Sequence, residues 1–386
     1  MSKFELGLED FLRDRSLTGK AGLVTNNTGR DRNGVHLVER IAGCRELKFS
    51  LAKIFSPEHG FTSDAPDGEA VSDSQHSSTK IPIVSLYGQK KSPDPEDIKG
   101  LDFLVFDIQD VGVRFYTYIS TLRNIIDTCA ANRIPLLIAD RPNFIGADVI
   151  EGPALQDGYN SFVGHLPVPL RYGMTCGELA QWWNNRLPEP AELKIYQCKN
   201  YYRESTFEDL DFPWFQPSPS MTSPETARFY PGTCLFEGTN LSEGRGTDKP
   251  FQKIGAPWID SKSWVSELKP ILPEDIEVSE TTFVPTFSKF QGEKCHGIYL
   301  TSKSKKITNS VNITLRCFST LMKTNRTNLV FEGRSNLHYP FIDYLAGNSW
   351  LRTSLENNAP VSEIENRLPE NCEDFLKTRK NALLYK

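Results

Sequence analysis

The sequence predicts an α/β protein: a doubly wound, mainly parallel sheet followed by a smaller α+β domain. Three observations lead there. Short apolar runs alternate with segments of helical period through the first half of the chain, the pattern of strands joined by crossover helices. Most of those runs end in polar residues, and in open α/β sheets ligands bind outside the carboxyl ends of the strands. At 386 residues the chain exceeds the size at which a single core tends to divide. A cluster at Pro213, Pro217, Pro219 and Pro224 supplies a linker, so the expected division is 1–226 and 227–386.

The elements follow in order. A helical segment over 8–13 precedes a strand over 21–25, which ends in Asn26-Asn27-Thr28-Gly29. A helix is expected over 35–41. Residues 51–55 are mostly apolar and stop at a proline, so they read as a buried strand opening into Pro57-Glu58-His59-Gly60. Residues 62–79 are rich in Ser, Asp and Gly and too long for a turn, which suits a flap over a cleft or simply a mobile loop. Strands follow at 81–87 and 101–106, the second delivering Asp107, Gln109 and Asp110. Arg114, Tyr116 and Tyr118 lead into a helix over 119–132, with Ile119, Leu122, Ile125, Ile126 and Cys129 at a 3.6-residue period. A fifth strand over 134–139 ends in Asp140, Thr175 caps a helix running to 184, and 193–198 is the last strand of this half. Beyond the prolines, strands over 283–289 and 294–300, a helix over 311–322 and a helical tail to 385 complete the α+β domain.

Composition excludes several function classes. Charged residues make up 24% and hydrophobic ones 38%, as in ordinary folded proteins. A net charge of −5 gives no basic field, so nucleic acid is a poor partner. No apolar run approaches membrane-spanning length, so no membrane partner is expected. Met1 to Asp10 lacks a basic and an apolar signal region, which reads as cytoplasmic; removal of an export signal would leave the same sequence on an exported protein. The eight cysteines are scattered, without C-x-x-C pairs, and read as mostly buried thiols. The histidines avoid H-x-x-x-H spacing, and neither G-x-G-x-x-G nor a Walker sequence occurs. Neither a metal nor a cofactor is therefore expected.

The candidate chemistry gathers at the strand tips. Asn26, Glu58, Asp107, Asp110 and Asp140 all reach one sheet edge, with Glu58 beside His59 as an acid/base pair. A Glu-His pair alone is more often an N-cap or surface ion pair, and a single Asp more often a turn or cap residue. The set carries more weight than its members. In the second half, Glu237, Asn240, Glu243 and Arg245 alternate with Gly238, Gly244 and Gly246, giving donors and acceptors on a backbone that can approach a ligand closely. Such a segment is by itself more often only a loop. His296 follows Cys295 on an expected strand.

In order along the chain stand Gly22-Leu-Val-Thr-Asn26, Pro57-Glu-His-Gly60, Val84-Ser-Leu-Tyr-Gly88, Phe106-Asp-Ile-Gln-Asp-Val-Gly112, Arg114-Phe-Tyr-Thr-Tyr118, Asp140-Arg-Pro-Asn143, Glu237-Gly-Thr-Asn-Leu-Ser-Glu-Gly-Arg-Gly-Thr247, Cys295-His-Gly297 and Gly347-Asn-Ser-Trp350. Nearly end to end, this series resembles the NamZ-type exo-β-N-acetylmuramidases. The resemblance implies a Rossmann-like amino-terminal domain, a smaller carboxy-terminal domain, and a cleft that takes the non-reducing N-acetylmuramic acid (MurNAc) end of peptidoglycan fragments. It maps the family's proposed catalytic glutamate onto Glu58. Glycoside hydrolysis needs a general acid and a second group at the anomeric carbon. Glu58 is the expected acid, held by His59, and Asp110, Asp107, Glu243 or the substrate's own 2-acetamido oxygen supplies the second function. Arg245 or Arg114 is expected to pair with the lactyl carboxylate, and Asn26, Gln109, Tyr116, Asp140, Glu237, Asn240 and His296 to bind substrate, Asp140 equally suiting a helix cap. Two rivals are a saccharide-binding protein without turnover and a hydrolase of wall amides or esters. The second lacks a G-x-S-x-G elbow.

Overall fold

The computed structural model describes residues 3–66, 68–325, 327–335 and 337–386. The apolar runs of the first half become β1 (Thr18–Thr25), β2 (Lys48–Ser56), β4 (Pro82–Ser85), β5 (Phe103–Asp107) and β6 (Leu136–Ala139), and a short polar strand, β3 (Ser74–Gln75), forms within the stretch expected as a flap. A separate two-stranded ladder, β7 (Glu151–Ala154) with β8 (Pro169–Arg171), precedes β9 (Leu193–Tyr196). The seven-stranded sheet runs β3-β4-β2-β1-β5-β6-β9. Every pairing in it is parallel except β3 with β4. Parallel strands need helical crossovers, provided by α2 (Leu37–Gly43), α3 (Pro95–Ile98), α4 (Tyr118–Asn132) and α5 (Cys176–Asn184), while α1 (Gly7–Arg13) precedes β1. With helices on both faces, central β5 is buried at all positions, which is why it reads as an unbroken apolar run rather than an alternating one.

Without the short antiparallel β3, the chain fills the sheet from β1 outward to β2 and β4, then returns to β5, β6 and β9. This is the Rossmann-like order, with its topological switch between β1 and β5. Here the switch point is filled by the protein itself. Thr25 Oγ1 donates to the Asp107 carbonyl (2.9 Å), the Gln109 amide to Thr28 Oγ1 (2.9 Å), and Arg141 Nε to Asp107 Oδ1 (2.6 Å).

The second half contributes α6 (Pro224–Thr233), β10 (Lys253–Ala256), α7 (Ser261–Leu268), β11 (Ile276–Phe283), β12 (Cys295–Ser302), α8 (Ser310–Asn325) and α9 (Phe341–Ala346). Its antiparallel sheet has the order β10-β12-β11. The strand expected over 283–289 lies earlier, at β11, and the chain after Phe283 turns away through Ser288 and Phe290 in left-handed conformation. The stretch expected as a linker ends by starting α6, with Ser223 capping the Thr226 amide and Pro224 at the first turn, where its missing N–H costs nothing. The helical tail does not stay with this half. Tyr385 OH donates to Asp140 Oδ2 (2.6 Å) and Phe375 packs edge-on against Trp182 of α5.

Buried guanidinium groups join the halves. Arg114, fully buried, donates to the carbonyls of Pro153 (2.8 Å), Val168 (2.9 Å) and, from the second half, Leu345 (2.9 Å). Gly347 is required beside it: its φ is +75° and a Cβ there would meet Arg114 Nη2 at 2.6 Å. Seven of the eight cysteines are buried thiols. Among the described residues no helix is long and apolar enough to cross a membrane.

Candidate active site

Glu58 lies two residues beyond the carboxyl end of β2, in a turn closed by the Gly60 amide on the Pro57 carbonyl (3.0 Å). Neighbouring side chains of an extended chain point to opposite sides. His59 instead takes φ +69°, and both Glu58 and His59 line one cavity. A left-handed non-glycine residue costs about 1–2 kcal/mol. The His59 ring recovers part of this through Nδ1, 2.8 Å from the Ala65 carbonyl. A carbonyl can only accept, so Nδ1 carries hydrogen and Nε2 is the acceptor of the neutral ring.

Glu58 is buried, 7% exposed, and its carboxyl group is held at both oxygens. Thr117 Oγ1 donates to Oε2 (2.6 Å) and the Gly68 amide to Oε1 (3.1 Å). Thr117 stands at the N-cap of α4, yet its side chain does not cap the helix, because the hydroxyl is directed to Glu58. From the stretch expected as a flap, Gly68 thus reaches the acid and contributes to the cavity wall.

The cavity has a volume of about 390 Å³. The first half supplies Glu58, His59, Tyr87, Lys91, residues 115–117 and residues 161–163, and the second supplies Tyr230, Glu237, Arg245, Arg334, Phe341 and Tyr344 among others. Tyr230 packs edge-on against both Phe115 (5.2 Å between centroids) and Tyr116 (5.8 Å), a contact that joins the two halves at the cleft. Lys91 Nζ lies 3.5 Å from the Tyr87 ring centroid and 4.3 Å from that of Phe162. Burial lowers the Lys91 pKa, and the Glu58 charge opposes that shift.

A second cavity of about 530 Å³ adjoins the first, sharing Glu237, Arg245 and Arg334 and adding Asp64, Glu69, Glu243, Phe287 and Lys289. Arg245 lies between Glu237 (2.7 Å) and Glu243 (3.1 Å), and Lys289 also reaches Glu243 (3.3 Å). Gly246 lets this loop meet residues 286–287, since a Cβ would stand 2.7 Å from the Phe287 amide.

Of the residues expected at the site, Glu58, His59, Tyr116, Glu237 and Arg245 line the first cavity and Glu243 the second. The other strand-tip residues face inward. Asp107 is wholly buried against Arg141. Asp110 accepts from Tyr172 OH and the Gly112 amide, and burial pushes its carboxyl up to about 6. Gln109 donates to the carbonyls of Asp110 (2.8 Å) and Pro142 (2.7 Å). Asp140 accepts from Thr175 (2.7 Å) and the Gly177 amide (2.7 Å) at the start of α5, taking the capping role, and burial pushes it to about 6 as well. Asn26 closes its own loop on Thr28 (2.6 Å). Arg114 is committed to carbonyls. Asn240 pairs with the backbone at 328 and 330, and His296 lies on a separate shallow groove with Asp260 and Glu280.

Sequence reasoning did not select Tyr87, Lys91, Thr117, Phe162, Arg334 or Tyr344. Tyr87 and Thr117 stand inside motifs already noted and needed only a residue-by-residue reading of them. Lys91, Phe162 and Arg334 lie in loops with no local pattern to mark them.

Two family models match the chain, Exo-beta-N-acetylmuramidase NamZ, N-terminal, over residues 21–225, and its C-terminal counterpart over residues 228–385. Peptidoglycan beta-N-acetylmuramidase NamZ of Bacillus subtilis (strain 168) is 39% identical over 386 residues, covering 99% of this chain and 92% of that one. Two DUF1343 family proteins of Bacteroides fragilis NCTC 9343 have similar crystal structures. One is 27% identical with a TM-score of 0.90, the other 30% identical with 0.78, each comparison covering 100% of this chain and 99% of the other.

Proposed function

The chain belongs to the NamZ family of exo-β-N-acetylmuramidases, and we propose from that premise that it is a glycosidase releasing β-linked MurNAc from the non-reducing end of peptidoglycan fragments, with Glu58 as general acid. Residues 1–226 carry the acid, and 227–386 close the cleft over it. The observation that carries this reading is the placement of Glu58: a carboxyl group in a cavity walled by both halves, oriented by Thr117 and the Gly68 amide, among aromatic rings of the kind that pack on sugar faces.

For the second function the substrate's 2-acetamido oxygen is favoured. Asp107 and Asp110 are turned into the protein, and Glu237 and Glu243 are paired with Arg245 and Lys289. Attack by the acetamido oxygen on the anomeric carbon, as Glu58 gives its proton to the departing oxygen, forms a cyclic intermediate that water opens with net retention. His59, with Nε2 as acceptor in the same cavity, is placed to receive a proton from that water or to orient the acetamide N–H.

The test is chromophore release from para-nitrophenyl β-MurNAc beside the GlcNAc glycoside. Turnover of the MurNAc compound is expected. No turnover, with MurNAc still binding in calorimetry, would make this a saccharide-binding protein.

A further inference from the structure

MurNAc differs from GlcNAc by a lactyl ether on O3, which places a carboxylate on the same ring as the scissile carbon. A site selective for it therefore needs a cation in the cavity of the acid, and one whose charge is not already compensated. Arg114 does not qualify, being buried among carbonyls. Arg245 stands in a cluster with Glu237, Glu243 and Lys289, whose two positive and two negative charges cancel. Arg334 is exposed to water at the junction of the two cavities, its guanidinium stacked on Phe341.

Lys91 is different. It lines the cavity of Glu58, and its ammonium is fixed by the faces of Tyr87 and Phe162. Among the described residues no carboxylate lies within ion-pair distance of it. Aromatic faces hold an ammonium but do not neutralise it, so a half-buried one gains most from an anion that enters beside it. A lysine so placed also loses little freedom on binding, because the rings have already restricted its chain.

We propose that Lys91 binds the lactyl carboxylate of MurNAc and is the residue that discriminates MurNAc from GlcNAc, an inference that rests on the muramidase reading above. Tyr87 and Phe162 act as positioning residues for its ammonium.

The experiment compares kcat/KM of the full chain on para-nitrophenyl β-MurNAc, its carboxyl methyl ester and the GlcNAc glycoside, with Lys91→Met and Lys91→Arg alongside. A charge-assisted contact predicts that the wild-type protein prefers the free acid over the ester by about 10- to 100-fold. In Lys91→Met that ratio should collapse towards about 1, and Lys91→Arg should restore part of it. Equal turnover of acid and ester by the wild-type protein would overturn the proposal without recourse to any variant. An unchanged acid-to-ester ratio in Lys91→Met would overturn it too. If the wild-type protein cleaves none of the three, the muramidase reading falls and this inference with it; cleavage without acid preference removes this inference alone.

Discussion

Replacing Glu58 by Gln changes one oxygen of the group to an amino group and leaves its shape unchanged. Both hydrogen bonds can survive. The amide oxygen still accepts from the Gly68 N–H (3.1 Å), and the new NH₂ faces Thr117 Oγ1 (2.6 Å), whose hydroxyl can rotate from donor to acceptor. The fold should therefore lose less than about 1 kcal/mol. What the variant cannot do is release a proton. Loss of a positioned general acid costs roughly a hundred- to ten-thousandfold in rate, or about 3–5 kcal/mol of transition-state stabilisation. The assay is kcat/KM on a MurNAc-GlcNAc disaccharide, whose leaving sugar oxygen needs protonation, and on dinitrophenyl β-MurNAc, whose leaving group departs as a stable anion. The defect should be large on the first substrate and much smaller on the second. Thermal unfolding of both proteins checks that the fold is unchanged. Normal turnover of the disaccharide would refute the assignment, and an equal loss on both substrates would move Glu58 from acid to nucleophile.

Other consequences follow from the same geometry. Arg114→Met removes the guanidinium donors of the Pro153 and Leu345 carbonyls, while the Val168 carbonyl keeps the Leu155 amide (3.3 Å), and weakens the join between the halves; at about 1–3 kcal/mol for each of the two buried groups, a loss of about 2–6 kcal/mol in denaturant unfolding is expected, and unchanged stability would show that water replaces the guanidinium. Burial raises Asp110 from 3.8 to about 6, so the folded protein holds this proton more tightly than the unfolded chain does. Its stabilising contribution is full below about pH 4 and is lost as pH rises through about 6, by about 3 kcal/mol. Relative to Asp110→Asn, which cannot titrate, the wild-type unfolding free energy should therefore fall between pH 4 and 6; parallel curves would contradict the buried protonated state. A MurNAc glycoside bearing N-trifluoroacetyl in place of N-acetyl should turn over far more slowly, because fluorine weakens the acetamido oxygen as a nucleophile. A near-normal rate would assign that function to an enzyme carboxylate.

The pattern of the chain was sufficient for the parallel sheet and for the position of Glu58. Apolar runs at strand length, helical period between them and a proline stop after Phe55 are local properties, and they fix which residues arrive at the sheet edge. The same local reading sent Asp107, Asp110 and Asp140 to that edge beside Glu58. It could not say which way each would face, because that depends on partners far along the chain: Arg141 for Asp107, Tyr172 for Asp110, and Thr175 with Tyr385 for Asp140. Buried carboxylates must find donors, and these three found theirs inside, filling the switch point where a Rossmann-like sheet ordinarily binds its ligand. The tertiary structure alone decided that the cavity lies instead over the end of β2, where Gly68 of the first half and Arg334, Leu337, Phe341, Tyr344 and Leu345 of the second complete its wall. It alone set Lys91 between Tyr87 and Phe162, since a cation surrounded by rings from separate loops leaves no periodic trace in the sequence.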